Sequence, residues 1–207
     1  MPSPDLLASK ILIVDDEPAN LDLLTSCLQE EGYQRLIATA DSRAVIPLYE
    51  AELPDLILLD LHMPGLNGFE IMAQLGERVP SEEYLPILVL TADITEATKQ
   101  RALSGGAKDF LTKPIDLTES LLRIGNLLHT RWLHQHQRQA RIAAEQAEKR
   151  ALFLAGASHV LASSLDHTTT LSLLCQSIVP EIADYCVVDI LNEDGGVSRI
   201  ALKHADP

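Results

Sequence analysis

Five polar residues in the first half of the chain have side chains suited to metal or phosphate chemistry. They are Asp15, Asp16, Asp60, Thr91 and Lys113. Each lies one or two residues after a short apolar run typical of a buried parallel strand. Carboxylate oxygens are ligands for Mg²⁺, while a hydroxyl and an ammonium group can hold phosphoryl oxygens. Asp60 could in addition act as a nucleophile toward phosphorus.

The segments that would position these residues alternate between apolar runs and helical patterns. The apolar runs, which we predict to be strands, cover residues 11–14, 36–38, 56–59, 87–90 and 110–111. The alternation predicts an α/β domain with a doubly wound, five-stranded parallel sheet and helices on both faces. Right-handed crossovers place the carboxyl ends of all strands at one edge, so we expect the five polar residues to meet there.

Such a meeting point would concentrate negative charge. Carboxylates about 4 Å apart repel by roughly 4 kcal/mol per pair at an effective dielectric of 20, so the cluster requires a cation. Oxygen ligands favour Mg²⁺, usually completed by a phosphate group. The sequence has no Gly-rich phosphate cradle of the kind found in NTPases. A single Asp after a strand is usually a helix cap or a turn residue. The combination, however, predicts that Asp60 forms an aspartyl phosphate while the turn at residues 63–68 leaves room for the phosphate donor.

Composition excludes several other classes of function. The chain has 207 residues and a formal net charge of -14, which argues against nucleic-acid binding. The N-terminus lacks a signal-peptide pattern, and no apolar run approaches the ~20 residues that span a bilayer. We therefore expect a cytoplasmic protein with no nucleic-acid or membrane partner. Cys27, Cys175 and Cys186 have no CxxC spacing and are expected to be buried, reduced thiols.

A second organisation begins near Asp116, where helix-forming residues continue to about Ser164. Apolar residues at 117, 121, 124 and 128 should pack on the sheet. A mostly alanine seam from Leu133 to Leu154 can close a weak two-helix coiled coil, and a solvated single helix is the alternative. We predict a helical linker over residues 131–152. Its basic residues are expected on a solvated face: Arg131, Arg138, Arg141, Lys149 and Arg150.

The motifs ILIVDDEP, DLILLDLHMPGLNGFE, PILVLTA and GAKDFLTKP together resemble the receiver domain of two-component response regulators. We assign residues 1–130 to this domain. The resemblance implies a flavodoxin-like sheet with strand order 2-1-3-4-5. It implies a phosphoacceptor Asp60 that Thr91 and Lys113 assist, and a switch formed by Thr91 and Phe110. The implied Mg²⁺ ligands are Asp15 (through water), Asp16, Asp60 and the His62 backbone carbonyl.

The same resemblance implies a regulatory phosphoacceptor rather than an enzyme, with a sensor histidine kinase or phosphotransfer protein as its partner. From its continuity and its alanine seam, we expect the long helix to carry the effect of phosphorylation toward the C-terminal region as a homodimer. The receiver resemblance also implies a cis Lys113–Pro114 bond and an effect of the His62 side chain on dephosphorylation. Two alternatives stay open: a phosphohydrolase of another α/β family and a purely structural interaction module.

The C-terminal third carries two weaker resemblances. FLAGASHVLASSL, residues 153–165, is similar to the phosphorylated helix of histidine kinases. However, Val160 replaces the acidic residue that should follow His159, which leaves no general base, so we predict a non-catalytic His159. The following pattern of helix, strand, turn and strand is similar to the start of GAF domains. We therefore predict an incomplete α+β, GAF-like domain over residues 153–207 and a chain that is part of a longer protein.

Overall fold

The computed structural model describes residues 4–93, 95–163, 167–179, 183–192 and 195–205. The chain divides into two compact units, Met1–Arg138 and Gln139–Pro207. Each unit is described by itself below. Within the described residues, no helix combines the length and apolar character needed to cross a membrane.

The first unit is built on a five-stranded parallel sheet, which confirms the predicted doubly wound fold. The strand order is β2-β1-β3-β4-β5, as the receiver resemblance implies. Each strand extends the predicted apolar run by one or two residues. The strands are β1 (Lys10–Val14), β2 (Arg35–Thr39), β3 (Leu56–Asp60), β4 (Ile87–Thr91) and β5 (Asp109–Thr112).

Helices join the strands, and their ends follow local sequence rules. Helix α2 has Pro18 at its start, where a missing N–H costs nothing, and it ends at Gly32 with a left-handed φ of 103°. A short helix at the N-terminus and a 3-10 turn at Ser42–Ala44 were not predicted. The helices of this unit are α1 (Pro4–Leu7), α2 (Pro18–Glu31), α3 (Val45–Glu52), α4 (Gly68–Arg78), α5 (Glu96–Ser104) and the part of α6 (Leu117–Ser163) up to Arg138.

The core lies on both faces of the sheet. Every residue of β3 and β4 is buried, as expected for central strands covered on both sides. One face packs against α3 and α4. The other packs against α2 and the first part of α6, through Ile124 and Leu128. The predicted apolar face of α6 is therefore confirmed.

Arg131 contradicts the prediction of a solvated basic face on α6. Its residue exposure is only 6%. Its Nε donates to Asp55 Oδ1 at 2.9 Å, and its guanidinium also donates to the carbonyl of Tyr84. Asp55 directly precedes β3, so the ion pair fastens α6 to the amino-terminal edge of the sheet. Sequence spacing could not reveal this pair because its partners are 76 residues apart.

The second unit contains the remainder of α6, helix α7 (His167–Ile178) and an antiparallel pair formed by β6 (Tyr185–Leu191) and β7 (Val197–His204). The pattern of helix, strand and strand agrees with the sequence, although α7 begins four residues earlier than its first apolar residue, Leu171. The predicted turn includes residues 193–194, which lie outside the described residues. The alanine seam of α6 is exposed from Ala140 to Leu154.

Candidate functional site

Three carboxylates gather at the carboxyl edge of the sheet, as predicted. Asp15 and Asp16 follow β1, and Asp60 ends the neighbouring strand β3. One oxygen from each carboxylate lies within 4.8 Å of the other two. Asp15 and Asp60 are buried, whereas Asp16 is exposed. The cluster therefore combines two fixed interior carboxylates with one that is open to solvent.

Lys113 joins the cluster from the end of β5. Its Nζ lies 2.6 Å from Asp60 Oδ2 and 2.8 Å from Asp15 Oδ2. The backbone N–H of Lys113 donates to the carbonyl of Thr91 at 2.8 Å, which ties the ends of β4 and β5 together. The Lys113–Pro114 peptide bond is cis, as expected. One ammonium group thus bridges two buried carboxylates.

The electrostatics of Lys113 reflect two opposing effects. Burial alone would lower the pKa of its ammonium group, because a charge is costly to desolvate. The hydrogen bonds and charges of Asp15 and Asp60 together outweigh that effect and raise the pKa. Lys113 is therefore firmly charged at neutral pH and partly neutralises the carboxylate cluster.

The Asp60 carboxylate is held through both oxygens. Its Oδ1 accepts from the backbone N–H of His62 at 3.0 Å, and its Oδ2 accepts from Lys113. The His62 side chain itself is exposed. Because β3 fixes the main chain and two donors fix the side chain, Asp60 presents one orientation to the solvent edge.

The segment after Asp60 turns away because of two specific contacts. A Cβ added at Gly68 would lie 2.6 Å from the carbonyl oxygen of Asp60, closer than real Cβ contacts allow. The buried Ser42 hydroxyl donates to the carbonyl of Pro64 and accepts from the N–H of Leu66, at 2.9 and 3.0 Å. Sequence reasoning missed Ser42, since it precedes this segment by more than 20 residues and lies in a 3-10 turn.

Asp15 has its own positioning partner, Asn20, which sequence reasoning also missed. The Asn20 side-chain amide donates to both oxygens of Asp15, at 3.1 and 3.2 Å. The N–H of Glu17 donates to Asp15 Oδ1 at 3.0 Å. The sequence did offer a signal for this contact: an amide side chain in the first turn of the helix that follows the paired aspartates.

Thr91 and Phe110, for which the sequence predicts a switch role, lie on β4 and β5. Thr91 is buried at the end of β4, and its hydroxyl accepts from the N–H of Asp93 at 3.0 Å. Phe110 is half-buried on β5, with the Lys99 ammonium 5.0 Å from its ring centroid. His159 lies in α6, but its side chain is outside the described residues.

Comparisons with known proteins agree with this arrangement. The family model for the response regulator receiver domain matches residues 11–124. The chain is 34% identical to Response regulator PleD of Caulobacter vibrioides over 153 residues, which cover 73% of this chain and 32% of PleD. It is 39% identical to Protein PilH of Pseudomonas aeruginosa over 118 residues, covering 57% of this chain and 95% of PilH.

Solved structures give the same result. A response regulator receiver domain protein (CheY-like) from Methanospirillum hungatei superposes with a TM-score of 0.55 and 26% identity, covering 60% of this chain and 96% of that one. The chain thus spans about a third of PleD but nearly all of PilH and of the Methanospirillum hungatei chain. The family model covers more than half of its 207 residues. The chain therefore belongs to the response regulator receiver domain family, whose members are regulatory phosphoacceptors of two-component signalling.

Proposed function

We propose that Asp60 is the phosphoacceptor of this two-component receiver. The observation that carries the proposal is the geometry of its carboxylate, which ends a buried strand with one oxygen bound by Lys113 and the other by the His62 amide. In the reaction, an Asp60 oxygen forms a bond to the phosphorus of the donor. The bond between phosphorus and the donor's leaving group breaks, and the leaving group departs with its electron pair.

Lys113 and Thr91 are proposed to hold the phosphoryl oxygens. The Lys113 ammonium already lies 2.6 Å from Asp60, so a small movement brings it to a phosphoryl group on the same side chain. The Thr91 hydroxyl lies at the end of the adjacent strand and is buried. Both groups are donors suited to phosphoryl oxygens.

The acidic cluster fits Mg²⁺ by the chemistry of its donors. Asp15, Asp16 and Asp60 supply oxygen ligands within 4.8 Å of one another, and the His62 carbonyl is proposed as a further ligand. Three carboxylates and the single ammonium of Lys113 leave two net negative charges, which a divalent cation would balance. When bound, Mg²⁺ would reduce the repulsion between these carboxylates and an incoming phosphate.

Phosphorylation is proposed to act as a switch through Thr91 and Phe110. A phosphoryl group adds about -1.5 to -2 charge, which draws donors toward it. Movement of Thr91 would alter the space beside Phe110, which is only half-buried and can change rotamer. The half-buried position of Phe110 supports this assignment.

We propose the following division of the chain into domains. Residues 1–130 form the receiver domain, residues 131–152 form a helical linker, and residues 153–207 form an incomplete GAF-like domain. The partner would be a sensor histidine kinase or phosphotransfer protein in the cytoplasm, with no nucleic-acid or membrane contact. The exposed alanine seam of α6 supports a homodimer, and a single spacer helix is the alternative.

The phosphoacceptor proposal is tested with a small acyl phosphate as donor. We expect about one hydroxylamine-labile phosphate per chain in the presence of Mg²⁺, little without it, and none in Asp60→Asn. A phosphohydrolase would instead release phosphate with many turnovers. A structural interaction module would take up no phosphate. Either result would overturn the proposal.

The dimer proposal requires a separate measurement. Light scattering of the purified chain, with and without a phosphoryl analogue, should report a mass near twice the 22.7 kDa monomer in at least the phosphorylated-like state. A monomer under both conditions would exclude the homodimer and favour the single spacer helix.

A further inference from the structure

Two of the three cysteines meet in the second unit. Cys175 lies on α7 and is 1% exposed, and Cys186 lies on β6. The Cys175 Sγ is 3.2 Å from the carbonyl oxygen of Cys186. All three cysteines are free thiols. The thiol of Cys175 thus lies against the main chain of Cys186.

The surrounding structure directs both side chains into one interface. Along β6, exposed residues alternate with less exposed ones, and Cys186 belongs to the less exposed set with Val188 and Ile190. This alternation puts Cys186 on the covered face of the strand pair. The N–H of Ala183 donates to the carbonyl of Ile178 at 3.3 Å, which links the end of α7 to the start of β6. The separation of the two elements is therefore fixed locally.

We propose that Cys175 and Cys186 form a reversible disulfide that fastens α7 to β6, making this unit responsive to oxidants. A disulfide requires Cβ atoms about 4 Å apart. The contact between Cys175 and the Cys186 main chain places the two residues within reach of side-chain rotation. The bond would join two residues that are 11 positions apart in the sequence.

Hydrogen peroxide is the simplest oxidant for this reaction. The Cys186 thiolate attacks one peroxide oxygen, the O–O bond breaks, and Cys186 becomes a sulfenic acid with release of water. The Cys175 sulfur then attacks the Cys186 sulfur, and a second water leaves. Two thiols lose two electrons in total, and one peroxide is reduced to two waters.

The environments of the two sulfurs suit this order of events. Cys186 is half-buried and is the more accessible sulfur, whereas Cys175 is enclosed. Burial raises the pKa of the Cys175 thiol, with a further contribution from Cys186, while the nearby Lys203 acts in the opposite direction. Lys203 is the cross-strand partner of Cys186. Cys186 is therefore the first sulfur to react, and Cys175 resolves the sulfenic acid.

Cys27 provides an internal control. It lies on α2 in the receiver unit, and burial together with Glu30 and Glu31 raises the pKa of its thiol. Anionic neighbours disfavour the reactive thiolate. Cys27→Ser therefore removes a third thiol without removing a member of the pair.

The test uses the full chain carrying Cys27→Ser, treated with hydrogen peroxide and then unfolded for thiol titration and peptide mass analysis under non-reducing conditions. We expect titratable thiols to fall from two to zero, with an intramolecular Cys175–Cys186 peptide and a mass loss of about 2 Da that dithiothreitol reverses. In a second variant that adds Cys175→Ala, Cys186 should instead accumulate sulfenic and sulfinic acids.

Three outcomes would overturn the proposal: retention of both thiols, disulfides only between chains, or overoxidation of Cys186 while Cys175 remains reduced. Circular dichroism of each variant checks that the fold is retained. Because none of these readouts involves Asp60, the proposal stands or falls independently of phosphorylation.

Discussion

Replacement of Lys113 by Met should destabilise the folded protein strongly in the absence of Mg²⁺. The Lys113 side chain is 19% exposed and bridges two buried carboxylates at 2.6 and 2.8 Å. Removing one partner of a buried ion pair costs about 3–5 kcal/mol, because the other charge is left uncompensated. Since Lys113 retains some contact with solvent, we expect a loss near the lower end, about 3 kcal/mol of unfolding free energy.

Mg²⁺ should recover most of this loss, because it supplies positive charge to the same oxygens. Binding at a concentration 100 times the dissociation constant stabilises a folded protein by about 2.7 kcal/mol. Mg²⁺ should raise the unfolding free energy of the wild type by less, since Lys113 already neutralises part of the carboxylate cluster and repels the ion. The variant should therefore bind Mg²⁺ more tightly than the wild type does.

The assay is urea unfolding followed by circular dichroism at neutral pH, with and without Mg²⁺. Lys108→Met is the matched control, because Lys108 is exposed and its ammonium group lies 5.5 Å from the centroid of the Tyr84 ring; this substitution should cost less than about 1 kcal/mol. A loss below about 1 kcal/mol in Lys113→Met would refute the buried bridge. Equal stabilisation of the wild type and of Lys113→Met by Mg²⁺ would also refute it.

The difference between wild type and Lys113→Met should also depend on pH. The folded state raises the pKa of Lys113 above its ordinary value of 10.5. The stabilising contribution is therefore complete below 10.5 and is lost as pH rises through the higher pKa of the folded state. Stability measured across this range should show the wild type approaching the variant at high pH, and a constant difference would contradict the pKa shift.

Further substitutions test the supports of the site by urea unfolding. Gly68→Ala should cost about 1–3 kcal/mol because its Cβ meets the carbonyl that ends β3, whereas Gly76→Ala, with open space around it, should stabilise α4 by up to about 1 kcal/mol. Arg131→Met should cost about 2–3 kcal/mol through its buried ion pair, against under about 0.5 kcal/mol for the exposed Arg141→Met. Ser42→Ala should cost about 1–2 kcal/mol, since it removes two hydrogen bonds from a buried position. Equal changes in stability for the two glycine variants, or for the two arginine variants, would contradict the contact proposed for Gly68 or for Arg131. An unchanged stability of Ser42→Ala would contradict its two hydrogen bonds.

The sequence was sufficient to predict the sheet and the convergence of polar residues at its edge. Both depend on local patterns: apolar runs such as 56–59 form buried strands, and parallel topology brings their carboxyl ends together. Asp60 and Lys113 are 53 residues apart, yet their positions at strand ends were enough to predict that they meet.

The residues that hold the surroundings of the site in place act through contacts that no local sequence pattern encodes. Ser42 binds the segment after Asp60, and Arg131 binds Asp55, in each case across more than 20 residues of sequence. The prediction for Arg131 was wrong because a basic residue on a long polar helix resembles a solvated one until its partner is known. The role of Gly68 likewise required the 2.6 Å distance to the Asp60 carbonyl.

The most direct test of the central claim identifies the phosphorylated residue. After labelling with a small acyl phosphate and Mg²⁺, borohydride reduction converts an acyl phosphate into an alcohol, which peptide mass analysis can locate. We predict reduction at residue 60 alone, and only when Mg²⁺ is present. Reduction at another carboxylate, or a phosphate found on His159, with residue 60 unmodified, would contradict the assignment.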